Sequence, residues 1–385
     1  MKIIGKVISR LNRLKHEKSL YVPVSNVNKK NHKKRCLLVY LTSPFIFNDS
    51  TDSHQCLWQV KEIARLLDKN GYIVDVADWK AKKMLLSKRY DLIIDIVPGK
   101  YSEIKKYMNP GCKTIAYFTT SNPSFQNDAE KKRLTDLFER KGITLMARRQ
   151  DTPYTKEIEK VDACFVIGNE HNWKTFENEF NLPKPYFIKN TGHKVEYGYN
   201  SHSKDKRNFL YFGSGGCVHK GLDLLLEVFS EDGFPCDLYV CGCFKFEEDF
   251  ESCYYHELYE CPNIHPIGFV STEGEQFKEI VDKCVYAIMP SCSEGVAGSV
   301  LTTMSEGLIN ICSRECGLED DEVIHLKDCS IETIRATVLE YAQKDDEWVK
   351  SKSKNSYDII QERYSKENFI ESLTFALDEV LRERD

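Results

Sequence analysis

The chain has 385 residues, 41% hydrophobic and 29% charged, with a formal net charge of −5. That length supports two domains with their own cores in an ordinary soluble composition, and the net acidity excludes nucleic acid as the expected partner. No apolar run approaches the ~20 residues that span a bilayer and no secretory apolar segment follows Met1, so a cytoplasmic chain is expected.

In chain order, the first element is a basic arm, residues 1–35, with eleven Lys/Arg against the single acid Glu17. Ile4, Val7, Ile8, Leu11 and Leu14 recur in it at helical spacing. The pattern fits an amphipathic helix lying on an anionic membrane surface through residues 1–20, and equally a solvated helix with a charged linker. From residue 36 short apolar strands alternate with amphipathic helices, which predicts an α/β fold of doubly wound parallel sheets. In a first domain, 36–195, strands are expected at 36–41, 72–76, 91–97, 114–119 and 164–167, and helices at 54–70, 129–141 and 169–180. Residues 190–207 are polar and aperiodic and contain the linker, 196–207. A second alternation fills 208–362, with strands at 209–212, 237–241, 265–270, 285–289 and 308–312. Its helices are expected at 221–230, 247–259, 273–283, 298–306 and 331–343. A helical pattern then runs from 347 to the end, and 363–385 reads as a C-terminal helix able to cross back to the first domain. Two such domains would face each other across a cleft at the carboxyl ends of their strands. The fifteen cysteines are scattered. The closest pairs, Cys241/Cys243 and Cys312/Cys316, lack zinc spacing, so reduced buried thiols are expected and no metal site.

Two strand-to-helix turns in the second domain carry the chemistry. The first, Phe212-Gly213-Ser214-Gly215-Gly216-Cys217-Val218-His219-Lys220-Gly221, is neither a Walker loop nor the dinucleotide fingerprint, and its glycines also suit a plain tight turn. Lys220 argues for more, because a lysine at a helix start opposes the dipole unless an anion compensates. The second turn, 290–299, leaves backbone N–H groups at a helix start, a setting for an anion such as a diphosphate. Ser293 as a cap and Glu294 as a first-turn acid would also account for it structurally. Glu294 stands where the hydroxyls of a sugar-like ligand can donate to it. Together the turns suggest a nucleotide-diphosphate ligand.

Residues 208–312 resemble the C-terminal domain of family 4 glycosyltransferases, retaining enzymes of the GT-B fold with two Rossmann-like domains. The resemblance rests on Gly213 through Lys220-Gly221-Leu222-Asp223-Leu224-Leu225, on Ile267-Gly268-Phe269-Val270, and on Pro290-Ser291 through Glu294-Gly295 to Glu306-Gly307. It implies that Lys220 binds the donor's diphosphate beside Gly213, Ser214, Gly215 and Gly216. Gly268, Phe269 and Val270 would flank the base. Glu294 would hold the donor sugar, and the backbone of Gly295, Val296, Ala297, Gly298 and Ser299 the phosphate oxygens. Three departures stand out. Thr302 replaces the family's second glutamate, which holds the ribose. Ser214 replaces an arginine, so a second phosphate cation is missing unless His219 or a residue of the N-terminal domain supplies it. Ala297 replaces a glycine.

The mechanism implied is metal-free and cofactor-free transfer with retention, Lys220 and the helix start neutralising the leaving diphosphate. In the first domain His54 is a candidate for the donor sugar or for a helix cap. Asn122, Arg148 and Arg149 are candidates for the acceptor. The acidic run 319–322 reads as a solvated turn. The expected function is a nucleotide-sugar-dependent glycosyltransferase acting on a glycan or lipid-linked acceptor at the cytoplasmic membrane face, in surface-polysaccharide assembly. The alternatives are a non-catalytic nucleotide-sugar-binding subunit, motivated by Thr302 and Ser214, and a nucleotide-sugar epimerase of the same fold.

Overall fold

A computed structural model describes residues 14–47, 55–98, 101–193 and 204–382, apart from His16 and Lys82. Most of the basic arm's amphipathic segment, and His54, lie outside the described residues.

The N-terminal half is built on six parallel strands: β1 (Lys34–Tyr40), β2 (Tyr72–Asp78), β3 (Tyr90–Asp95), β4 (Met108–Phe118), β5 (Ala163–Val166) and β6 (Pro185–Phe187), in the order β2-β1-β3-β4-β5-β6. The C-terminal half repeats the plan with β7 (Asp205–Phe212), β8 (Asp237–Cys241), β9 (Ile264–Pro266), β10 (Cys284–Met289), β11 (Ile309–Cys312) and β12 (Ile324–His325), in the order β12-β11-β10-β7-β8-β9. Strands such as β10 are apolar almost throughout because helices cover both faces of a parallel sheet. Strand order reverses between β1 and β3 and between β7 and β10. At such a point the loops leave in opposite directions and open a crevice at the carboxyl edge. The two turns singled out in the sequence are the loops that leave β7 and β10.

The main helices are α1 (Gln55–Lys69), α2 (Pro123–Lys141), α3 (Glu170–Glu177), α4 (Leu222–Phe229), α5 (Glu275–Val281), α6 (Gly298–Ser305), α7 (Ile331–Tyr341), α8 (Asp346–Arg363) and α9 (Lys366–Leu381). Although α9 ends the chain, its Phe369, Leu373, Ala376 and Leu377 share one apolar cluster with Val60, Ile63 and Leu67 of α1. Val296, Ala297, Val300, Leu301 and Met304 belong to the same cluster, so one core runs from the first sheet into the α6 region of the second.

Several expectations need correction. The helix expected at 247–259 is two short helices, Glu248–Cys253 and Tyr255–Tyr259, broken where Tyr254 turns fully inward and donates its hydroxyl to Glu227. The strand expected to reach 270 stops at Pro266, because Gly268 turns the chain with φ 90°. Residues 205–207, read as linker, belong to β7, and Asn190 and Thr191 are buried. In the acidic run, Glu322 is buried and accepts from the Tyr364 hydroxyl and Arg363. It is a staple for the C-terminal helices and not a solvated residue. All fifteen cysteines are free thiols. No described helix is long and apolar enough to cross a membrane.

Candidate active site

The loops leaving β7 and β10 touch each other. The Cys292 N–H donates to the His219 carbonyl at 2.9 Å, and Gly221, at φ 74°, packs so closely that a Cβ would lie 2.6 Å from the Pro290 oxygen. Only glycine permits that approach and that dihedral together. The contact brings Lys220 and Glu294 into an ion pair, both buried, with the Ser291 hydroxyl donating to the same Glu294 oxygen at 3.0 Å. Burial works against the charge on Glu294, but the cations Lys220 and Arg149, with His219 beside them, outweigh it and hold the carboxyl at about 2. His219 lies against the Ser293 carbonyl through Nε2 at 2.7 Å. Nε2 therefore carries the proton, and burial lowers the imidazole's pKa, leaving the ring neutral near pH 7.

The N-terminal half closes over the same place. The Ser121 hydroxyl and the Asn172 amide donate to the Glu294 carbonyl at 2.6 and 3.0 Å. Gly295 is pressed between halves, with room for no Cβ because the Thr119 oxygen would stand 2.5 Å away. Asn190 donates to the Val296 carbonyl at 3.0 Å. Gln55, the first residue of α1, sets its Oε1 2.6 Å from the Cβ position of Gly298, so the starts of α1 and α6 meet. Arg149 reaches across from the loop after α2, its Cγ 2.7 Å from the Cβ position of Gly216.

Not every site residue falls where the sequence put it. The N–H groups of Gly216 and Cys217 already donate to the buried Glu247 carboxylate, so the glycine turn's backbone concavity holds an internal anion. Ser214 is exposed at the tip of that turn and Gly213 lies under the Tyr211 ring. Ala297 N–H is spent on the Cys316 carbonyl, while Gly298 and Ser299 N–H have no acceptor among the described residues. The Ser299 hydroxyl is turned to Met289 sulfur. The Thr302 hydroxyl donates back to the Gly298 carbonyl at 2.9 Å and is not presented to a ligand. Gly268 and Val270 are buried and Phe269 is exposed. Asn122, an acceptor candidate, is fully buried: it caps α2 by accepting from the Ser124 N–H and donates to Thr175 and Glu179. Arg148 is likewise committed, paired with Asp249 on the surface between the halves. Arg149 is half-buried against Gly216 of the glycine turn. Glu247 and Glu130 were missed, since nothing in their local sequence separates them from solvated acids.

No family model matches the chain, and no curated protein matches it. Among solved structures it is similar to sucrose-phosphate synthase from Thermosynechococcus elongatus, with TM-score 0.63 and 13% identity over 90% of this chain and 99% of that one. It is also similar to HepE of Anabaena in complex with UDP-glucose, with TM-score 0.56 and 9% identity over 90% of this chain and all of that one. TarM of S. aureus matches with TM-score 0.53 and 13% identity over 74% of this chain. The chain spans only 54% of TarM. The fold they share is GT-B, two doubly wound α/β units facing each other across a cleft.

Proposed function

We propose that this chain is a retaining, nucleotide-sugar-dependent glycosyltransferase acting on a glycan or lipid-linked acceptor. The observation that carries the reading is the buried Lys220–Glu294 pair at the switch point of the second sheet. Breaking a sugar–phosphate bond puts negative charge on the diphosphate and positive charge at the anomeric carbon. Lys220 would exchange its carboxylate partner for the diphosphate, next to the unpartnered N–H groups at the start of α6. Glu294, ionised at neutral pH, would then accept hydrogen bonds from the sugar hydroxyls. The acceptor hydroxyl attacks from the face the diphosphate leaves, and the departing phosphate takes its proton. Lysine and helix start do the neutralising, so this reading requires no metal. The binding of UDP-glucose by HepE supports a UDP-sugar donor.

The test is donor hydrolysis without acceptor. The wild type is expected to cleave at least one UDP-, GDP- or ADP-sugar slowly, and Glu294→Ala to lose at least a hundredfold in rate while still binding the nucleoside diphosphate. Nucleotide binding with no turnover of any donor sinks the enzyme reading. It would favour a second one, a non-catalytic nucleotide-sugar-binding subunit, which the inward-turned Thr302 hydroxyl supports.

A further inference from the structure

We infer that Arg149, carried on the N-terminal half, is the second phosphate cation of the donor site, taking the place of the arginine that Ser214 lacks. The inference rests on the glycosyltransferase reading and assigns Arg149 to the donor's diphosphate, not to the acceptor.

Around the β7 and β10 loops most charged groups have a polar partner, Arg133 among them through the Pro290 carbonyl, although its Nη1 is buried without one. Lys220 faces Glu294. His219 is occupied on both ring nitrogens, with the Ser293 carbonyl on one and the Cys292 thiol 3.5 Å from the other. Glu247 sits on the Gly216 and Cys217 N–H groups, with the Arg148 guanidinium 3.8 Å away, and Arg148 pairs with Asp249. Arg149 is the exception. Its Nε is buried with no hydrogen-bond partner, and no carboxylate is in ion-pair range of its guanidinium among the described residues. A guanidinium N–H that is buried without an acceptor is costly, and the cost falls away when an anion accepts from it. Counting Lys220, Arg149 and Glu294, the crevice carries one uncompensated positive charge next to the unpartnered N–H groups of α6.

The position of Arg149 is built and not incidental. The segment that carries it, 142–155, has no regular structure. Yet its backbone is pinned at this residue: Glu130 accepts the Arg149 N–H at 3.0 Å and the Gln126 amide donates to the Arg149 carbonyl at 2.8 Å. Glu130 and Gln126, both on α2, are each 2% exposed. On the opposite side, Gly216 at φ 91° leaves the space that the Arg149 chain fills. Arg149 thus lies over the glycine turn, near enough to Glu294 to act on its charge, with its backbone held by its own half. A planar guanidinium there can grip phosphate oxygens two at a time, while Lys220 meets them as a point charge from the other half. The diphosphate would bridge the halves, each supplying one cation.

The experiment is a calorimetric titration of wild type, Arg149→Ala, Arg149→Lys and Lys220→Ala with UDP, GDP and ADP, with the matching nucleoside followed by ligand-observed NMR. For the nucleotide that binds, Arg149→Ala is expected to weaken the diphosphate at least about tenfold and leave the nucleoside unchanged. Arg149→Lys should recover only part of the loss, because an ammonium cannot fork. If Lys220→Ala loses the diphosphate while Arg149→Ala binds it like wild type, the inference fails and the transferase reading stands. An acceptor KM raised in Arg149→Ala with diphosphate affinity intact overturns it in favour of an acceptor role. A wild type that binds none of the three nucleotides removes both.

Discussion

Glu294 is ionised where burial alone would keep it neutral, and that has a consequence for stability. Its carboxyl sits at about 2 when folded against 4.5 in an unperturbed chain, so between these values the unfolded state binds more protons. Its contribution is therefore full above pH 4.5 and lost as pH falls through about 2. Glu294→Gln keeps the shape and removes the charge. The stability gap between wild type and this variant, read by denaturant unfolding, should be present above pH 4.5 and close toward pH 2. A gap independent of pH would show that Lys220 does not depend on the charge. Lys220 and Glu294 were legible in the sequence because a cation or an acid at a helix start is a local pattern. Arg149 was singled out only as an acceptor candidate and Glu247 not at all, since what positions them is a neighbour far along the chain: Gly216 for one, the glycine turn's N–H groups for the other. The structural part played by Asn122 was hidden for a related reason. Asn-Pro after a strand marks both a cleft loop and the cap of a helix that starts at once, and the cap prevailed.

Among the elements, α2 does most to join the halves. Its Leu137 is fully buried in the core of the C-terminal half with Leu222 and Leu225. Arg140 pairs with Asp223 and Glu227, Lys141 with Glu257, and Arg133 donates to the Pro290 carbonyl at 2.8 Å. Asp223 is fully buried with one oxygen unpartnered, and burial raises its carboxyl to about 6 although Arg133 and Arg140 pull the other way. Because that value lies above the unfolded one, its charge costs stability as pH rises from 3.8 to about 6. Arg140→Ala would leave the carboxylate buried without its partner. Chemical denaturation should show a loss of about 3 kcal/mol at pH 7 that shrinks below pH 6 as Asp223 takes a proton. A loss under about 0.5 kcal/mol at pH 7 would mean that the pair is only a surface contact. The longer strands and helices could be read from their apolar periods. β6 and β12, with three and two residues, are too short to show one. The break at Tyr254 depends on a half-buried partner, Glu227, that no local pattern announces.

Over the whole molecule, the sheet order explains why two separate motifs make one site: the switch between β7 and β10 puts their loops at the same carboxyl edge. Alternating strands and helices made the doubly wound class readable. They could not say that α9 would pack on α1, because an amphipathic pattern shows a helix's apolar face and not the surface it will cover. Nor could they say that the first half would press so closely on the β10 loop, a closeness that rests on Gly295 and on the Ser121 and Asn172 side chains. In the proposed function the Lys220–Glu294 pair is the resting state of a diphosphate-binding site. A crystal structure of the chain with UDP bound tests it most directly. The β-phosphate is expected within hydrogen-bond reach of Lys220 Nζ, facing the start of α6, with Lys220 drawn off Glu294. That placement is contradicted if the diphosphate lodges elsewhere, such as the groove of about 990 Å³ beside Arg133 and Lys327, with the Lys220–Glu294 pair intact.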